Sequence, residues 1–219
     1  MKKLTTLIVI IVLAIIGYYA ASPYYTAYQL KNAYDANDGD TLVTYIDFEQ
    51  LQPNIKQQLD SRFEVTLGQY PLVAQLGGEP LAQAADEFIN NAVSQALTAD
   101  NISSLIATQG QANTATKELA AAWAIATNKV NLQHLIQDII AQRGDIDAVV
   151  KNQVQQIMTE QSAELEQHVQ SGEDSAKPSL NYCGINCFTI SGQVKGYPLT
   201  LEMQRQGWVD WKIVNVVLP

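Results

Sequence analysis

Few residues in this chain have both the type and the spacing to do chemistry. His134 and Asp138 stand four apart, close enough on one helical turn to share a ligand or a proton, and His168 stands four after Glu164 in the same relation. A metal would need further ligands at matching spacing, and with only two histidines in the chain none is present, so a solvated helix face accounts for both pairs. Asp38-Gly39-Asp40 could open a calcium loop, but it lacks the remaining ligands and the closing Glu of a twelve-residue loop and reads as a turn. Asp145 and Asp147 could be paired catalytic carboxylates; following Gly144 at a helix start, they serve the positive end of that helix. Trp208 and Trp211 could share a surface patch across a turn, with core packing as the ordinary alternative. Asn101-Ile102-Ser103 matches the glycosylation sequon, which would carry no information in a bacterial chain. No nucleophile elbow, zinc-protease helix, phosphate loop or dinucleotide-binding glycine motif occurs. No enzymatic activity, metal or cofactor is therefore expected.

Cys183 and Cys187 are the only cysteines, within Asn181-Tyr182-Cys183-Gly184-Ile185-Asn186-Cys187-Phe188. A redox pair, half of a metal site and a disulfide are all conceivable. The spacing is CxxxC, no His lies near, and zinc would need two more ligands, so a disulfide fits best. Three intervening residues suit a hairpin loop, and closing so short a loop would contribute roughly 2 kcal/mol. A disulfide in turn implies an oxidising, outward-facing compartment.

At the N-terminus, Met1-Lys2-Lys3 precedes Leu4 to Ala21, a run without a charged side chain. As a helix that run reaches about 27 Å, close to the thickness of a bilayer's hydrocarbon core. A secretory signal peptide begins the same way, but cleavage after Ala20 or Ala21 would place Tyr18 or Tyr19 where a small residue is needed, and Pro23 follows Ser22. An uncleaved anchor is expected. Lys2 and Lys3 lie before the run and Lys31 is the next basic residue after it, so the N-terminus should stay in the cytoplasm of a bacterial cell and the remainder should face the periplasm. Tyr18, Tyr19, Tyr24, Tyr25 and Tyr28 crowd the far end, where amphipathic rings favour the headgroup region.

Beyond the anchor about 195 residues remain, enough for one domain with a sizeable core. The net charge of −9 and the absence of a basic patch argue against nucleic acid as a partner and against electrostatic adhesion to anionic lipid. Ser22-Pro23 reads as a fresh helix start running to about Tyr34, broken by Asn37 to Asp40. Thr41 to Ile46 fits either a short helix or a strand, with Asp47 as a cap for the next helix. Ile55, Leu59, Phe63 and Leu67 recur every four residues and predict a helix from Pro53. Two prolines and three glycines make Gly68 to Pro80 a loop or hinge. Further helices are expected over Leu81 to Leu97, over Ala99 to Ala107 capped by Thr98, over Thr116 to Thr127, from Leu132 to Gly144, and over Asp145 to Val169. Ser171 to Lys177 is a polar linker. The apolar period then changes to two, and Leu180 to Cys183, Cys187 to Val194, Tyr197 to Arg205 and Trp208 to Leu218 predict a three- or four-stranded antiparallel meander. The fold class is α+β, organised as a tip and anchor (1–22), a mainly helical region (23–170) and a C-terminal sheet packed on the helices (171–219).

Ser22 to Leu30 with Ala36 to Phe48, then Ala96 to Ile102, and finally Gly207 to Pro219 together resemble a proteobacterial family of unknown function, domain of unknown function 2939. The resemblance implies a small envelope protein and assigns no catalytic residue. The terminal strands also look like the end of a nuclear-transport-factor-like or cystatin-like sheet curled around a helix. That likeness would place an apolar pocket against Leu199, Leu201, Trp211 and Ile213. The expectation from sequence is a single-span inner-membrane protein that binds an envelope or secreted protein as a scaffold or tethered chaperone, with a small apolar-ligand or lipid-binding module as the alternative.

Overall fold

The computed structural model describes residues 2–69, 71–108, 113–126, 177–194 and 197–217. The helices expected over 132–144 and 145–169, with His134, Asp138, Asp145, Asp147, Glu164 and His168, lie outside the described residues. So do most of the 171–177 linker and the turn at Lys195-Gly196.

The fold is α+β. Helix α1 (Lys2–Asp35), α2 (Gly39–Val43), α3 (Phe48–Gly68), α4 (Pro71–Ala96), α5 (Ala99–Ala107) and α6 (Thr114–Ala126) precede strands β1 (Ser179–Gly184), β2 (Cys187–Val194), β3 (Tyr197–Arg205) and β4 (Trp211–Val217). The strands form a four-stranded antiparallel meander in the order β1-β2-β3-β4.

Three expectations about helix boundaries are corrected. The helix does not restart at Ser22-Pro23: α1 is continuous from Lys2 to Asp35 with Pro23 inside it. Nor is Gly68 to Pro80 a loop, since α4 starts at Pro71 and takes in Gly77, Gly78 and Pro80. Proline suits the first helical position, and the apolar face of the later turns, Ile89, Ala92, Val93 and Ala96, is buried. That burial offsets the helix penalty of the two glycines and Pro80, which local propensity alone would not. Likewise α3 begins at Phe48, five residues before Pro53, because Asp47 caps it: Gln50 N–H donates to Asp47 Oδ1 at 3.2 Å. Its carboxyl lies below the ordinary range, burial being outweighed by hydrogen bonds from Gln50, from Gln206 and from the backbone at Gln50 and Glu49.

Other stops and starts reflect local chemistry. Asn37, at φ 54°, ends α1 in the left-handed conformation, with Asp38 N–H bonded back to Ala33 O at 2.8 Å. Asp38, Thr98 and Asn113 then cap α2, α5 and α6 by accepting from the backbone N–H three residues on. The ambiguity at Thr41 to Ile46 resolves as a short helix: α2 ends at Val43, and after it Ile46 makes one isolated parallel bridge to Ile213.

Two apolar clusters result. Leu51, Ile55, Leu59 and Phe63 of α3 pack with Ile89 and Val93 of α4 and with Ala122 and Ala126 of α6. Leu30 of α1 packs on Phe188, Met203, Trp211 and Ile213 of the sheet. Ile46 and Val216 touch both clusters and join them. The edge of β4 is closed by α3 and the segment before it. Asn54 Nδ2 donates to Val214 O at 2.8 Å, Gln58 Nε2 donates to Val216 O at 3.1 Å, and Ile213 pairs with the backbone at Tyr45 and Asp47.

Gly39 marks a close approach of α2 to α5, because a Cβ at that position would stand 2.6 Å from Ser103 Cα. Gly39→Ala is therefore expected to destabilise the protein by about 2 kcal/mol or more by forcing the two helices apart. Denaturant unfolding followed by circular dichroism checks it, and a midpoint equal to that of the unsubstituted chain would contradict this account of the contact.

Candidate functional site

The site grows out of a proline inside a helix. Pro23 has no N–H, so the carbonyl of Tyr19, four residues earlier, loses the partner an α-helix would give it. Ser22 supplies one replacement, its Oγ donating to Tyr19 O at 2.8 Å. Arg205 of β3 supplies the others, with Nη1 at 3.3 Å and Nη2 at 3.4 Å from the same oxygen. The guanidinium lies 3.6 Å from the centroid of the Tyr19 ring and 4.4 Å from that of Trp211. A planar, delocalised cation between two aromatic faces is a role that arginine fills and lysine does not.

The rest of the junction is equally specific. Trp211 Nε1 donates to Ser22 Oγ at 2.9 Å in a buried bond, and Arg205 Nη1 also donates to Trp208 O at 2.7 Å. Arg205 Nε is buried without a hydrogen-bond partner. Tyr24, Tyr182, Phe188 and Trp211 form a set of edge-to-face ring contacts with centroids 5.0–6.2 Å apart. Tyr182 Oη donates to Ala20 O at 2.7 Å. Burial pushes the Tyr182 phenol up, against an opposing pull from Arg205, so it stays a neutral donor well past neutral pH. The apolar helix is thus bolted to the sheet at Tyr19, Ala20 and Ser22.

On its N-terminal side the same helix is long and apolar enough, by length and composition, to cross a bilayer. Leu7, Ile8, Ile10, Leu13 and Ile16 are each half or more exposed, with apolar side chains distributed around the helix.

The cysteine pair is a disulfide: Cys183 and Cys187 are bonded with their Cα atoms 5.0 Å apart, bracing the β1–β2 turn. Of the four residues expected to line a pocket, three come together. Trp211 and Ile213 are buried, Leu201 packs against them, and the face they share carries Leu30, Leu42, Tyr45 and Ile46. Leu199 is half-buried and stands outside that cluster, opposite Gly192 of β2. Trp208 and Trp211 do not share a patch, for Trp211 is in the core while Trp208 is exposed. Among the described residues no group of three or more His, Cys, Asp or Glu side chains is placed to hold a metal ion.

Sequence reasoning missed Arg205 and Tyr182 altogether. The available signal was Pro23, which read in the middle of a helix demands a donor for Tyr19 O. Which distant residue answers that demand is a matter of tertiary register and is not written locally.

Residues 12–105 match the family described as Protein of unknown function (DUF2939). The match takes in most of α1 and ends inside α5, so it holds Tyr19, Ser22 and Pro23 but ends before Tyr182 and Arg205. The closing Gly207 to Pro219, expected to be part of the resemblance, falls outside it. No curated protein and no solved structure matches the chain.

Arg205→Ala is expected to cost about 2–3 kcal/mol, from two ring contacts and the hydrogen bonds at Tyr19 O and Trp208 O, and Arg205→Lys is expected to recover less than half of it. Tyr182→Phe keeps the rings and should cost no more than about 1 kcal/mol. Because the folded phenol titrates above its unfolded value, its contribution holds below about pH 10 and fades as pH rises through the folded value. Unfolding in detergent between neutral pH and about pH 11 measures all three; an Arg205→Ala chain as stable as the unsubstituted one would refute the latch.

Proposed function

We propose that this chain is a non-enzymatic, single-span inner-membrane protein whose domain faces the periplasm and binds an envelope or secreted protein, as a scaffold or membrane-tethered chaperone. The observation that carries the reading is the junction itself. An uninterrupted helix leaves its apolar stretch and is clamped to the sheet within a few residues by Arg205, Trp211 and Tyr182. Such a clamp serves a domain that must be held at a fixed attitude to its anchor, and a freely tethered catalyst has no use for it.

Lys2 and Lys3 before the span support a cytoplasmic N-terminus, and the Cys183–Cys187 disulfide fits an oxidising compartment on the other side. Strand β1 is well placed for a partner, since five of its six residues are exposed, whereas the opposite edge of the sheet is covered by α3. The apolar-ligand alternative requires the sheet face at Leu201, Trp211 and Ile213 to be free for the ligand, and Leu30, Leu42, Tyr45 and Ile46 pack there.

Crosslinking in intact cells, then purification from membranes and mass spectrometry, tests the reading. The expected result is one reproducible envelope or secreted protein, joined preferentially through a photo-crosslinker placed at Asn181 of β1. Recovery of the chain alone, or of bound lipid, would move the assignment to the ligand-binding alternative.

A further inference from the structure

The two most exposed large apolar side chains among the described residues are Ile185, at 79%, and Trp208, at 76%, both exceeding the apolar residues of the α1 stretch. They lie far apart in sequence but at one end of the molecule. Ile185 is the tip of the β1–β2 turn and Trp208 belongs to the β3–β4 turn, and in a four-stranded meander those two turns share an end. One residue binds both: Arg205 N–H donates to Asn186 O at 3.1 Å and Arg205 Nη1 donates to Trp208 O at 2.7 Å. The same guanidinium grips Tyr19 O, in the last turn of the apolar stretch. Both tips therefore stand beside the point where α1 leaves its apolar run, at Tyr19, whose chain neighbour Tyr18 is also exposed.

We propose that Ile185 and Trp208 are a second membrane contact, seated in the outer headgroup region of the bilayer that α1 crosses. The proposal rests on the reading of α1 as a span. Tryptophan favours the membrane–water interface, where its ring is partly apolar and its N–H is wet. The tips are also built to be held there. The disulfide braces the Ile185 turn, Arg205 fixes both backbones, and only Asp210 carries a charge among residues 184–186 and 206–210. Insertion is thus apolar in origin, and zwitterionic lipid suffices. With the helix and two tips engaged, the domain cannot tilt freely, and the exposed edge of β1 is presented at a set height.

The test uses the full chain in phosphatidylcholine vesicles containing lipids brominated at a shallow or a deep acyl position. Trp208→Phe removes one fluorophore while keeping an aromatic tip, and Trp123 and Trp211 report identically in both proteins. Shallow bromine is expected to quench the unsubstituted chain more than about twofold better than Trp208→Phe, with deep bromine equal on both and added salt without effect. Equal shallow quenching of the two proteins would overturn the seat, leaving α1 as the only contact. Extraction at alkaline pH separates the two readings: a chain that stays with the lipid but shows no Trp208 quenching loses only this proposal, and a chain that washes off loses the span as well.

Discussion

The carbonyl of Tyr19 is the group on which the molecule turns. A proline within a helix leaves an unpaired acceptor, and a buried unpaired acceptor costs about 1–3 kcal/mol. Here the vacancy becomes a docking point, because Ser22 and Arg205 fill it and Arg205 comes from the other end of the chain. Replacing Pro23 by a residue with an N–H would restore the local helical bond and weaken the reason for Arg205 to be there. Helix continuity and attachment of the sheet are thus one fact, seen from two sides.

From that point outward the energetics change character. The ring contacts around Tyr24, Phe188 and Trp211 and the burial of Leu30 stabilise α1 against the sheet without regard to direction, while the hydrogen bonds to Tyr19 O, Ala20 O and Ser22 Oγ fix the axial register. The helical cluster of α3, α4 and α6 is an ordinary apolar core, joined to the sheet through Ile46 and Val216 and through the amide side chains of Asn54 and Gln58 along β4. Those amides do for β4 what another strand would do. The strand at the other side, β1, has no such cover from α3.

Much of the architecture was legible in the residues. The apolar run, the change of period from helical to alternating near residue 179, the Asp47 and Thr98 caps and the CxxxC hairpin are local signals, and local chemistry produced what they announced. The errors came where burial outweighed propensity. Gly77, Gly78 and Pro80 read as a break, yet the helix they belong to is secured by Ile89, Ala92 and Val93 farther along. Ser22-Pro23 has the form of a helix start, and only the distant donor allows the helix to run through it. The junction was the least legible part, since an arginine in a strand near residue 205 carries no mark tying it to a carbonyl at residue 19. Of the residues expected to line a pocket, Trp211 and Ile213 are buried in the core, and nothing local says that Leu30 and Ile46 would lie over them.

An unbroken α1 also has a geometric meaning. From Lys2 to Asp35 the backbone is one rod, so the azimuth of the domain about the helix axis is encoded in residue count: each residue of helix turns the rest of the chain by about 100° and lifts it by about 1.5 Å. A single insertion or deletion within the apolar stretch, ahead of Tyr18, would leave the contacts with the sheet intact while swinging the domain through more than a quarter turn relative to anything that grips the first turns of the helix. The length of the apolar run is in that sense a dial that sets the domain's angle.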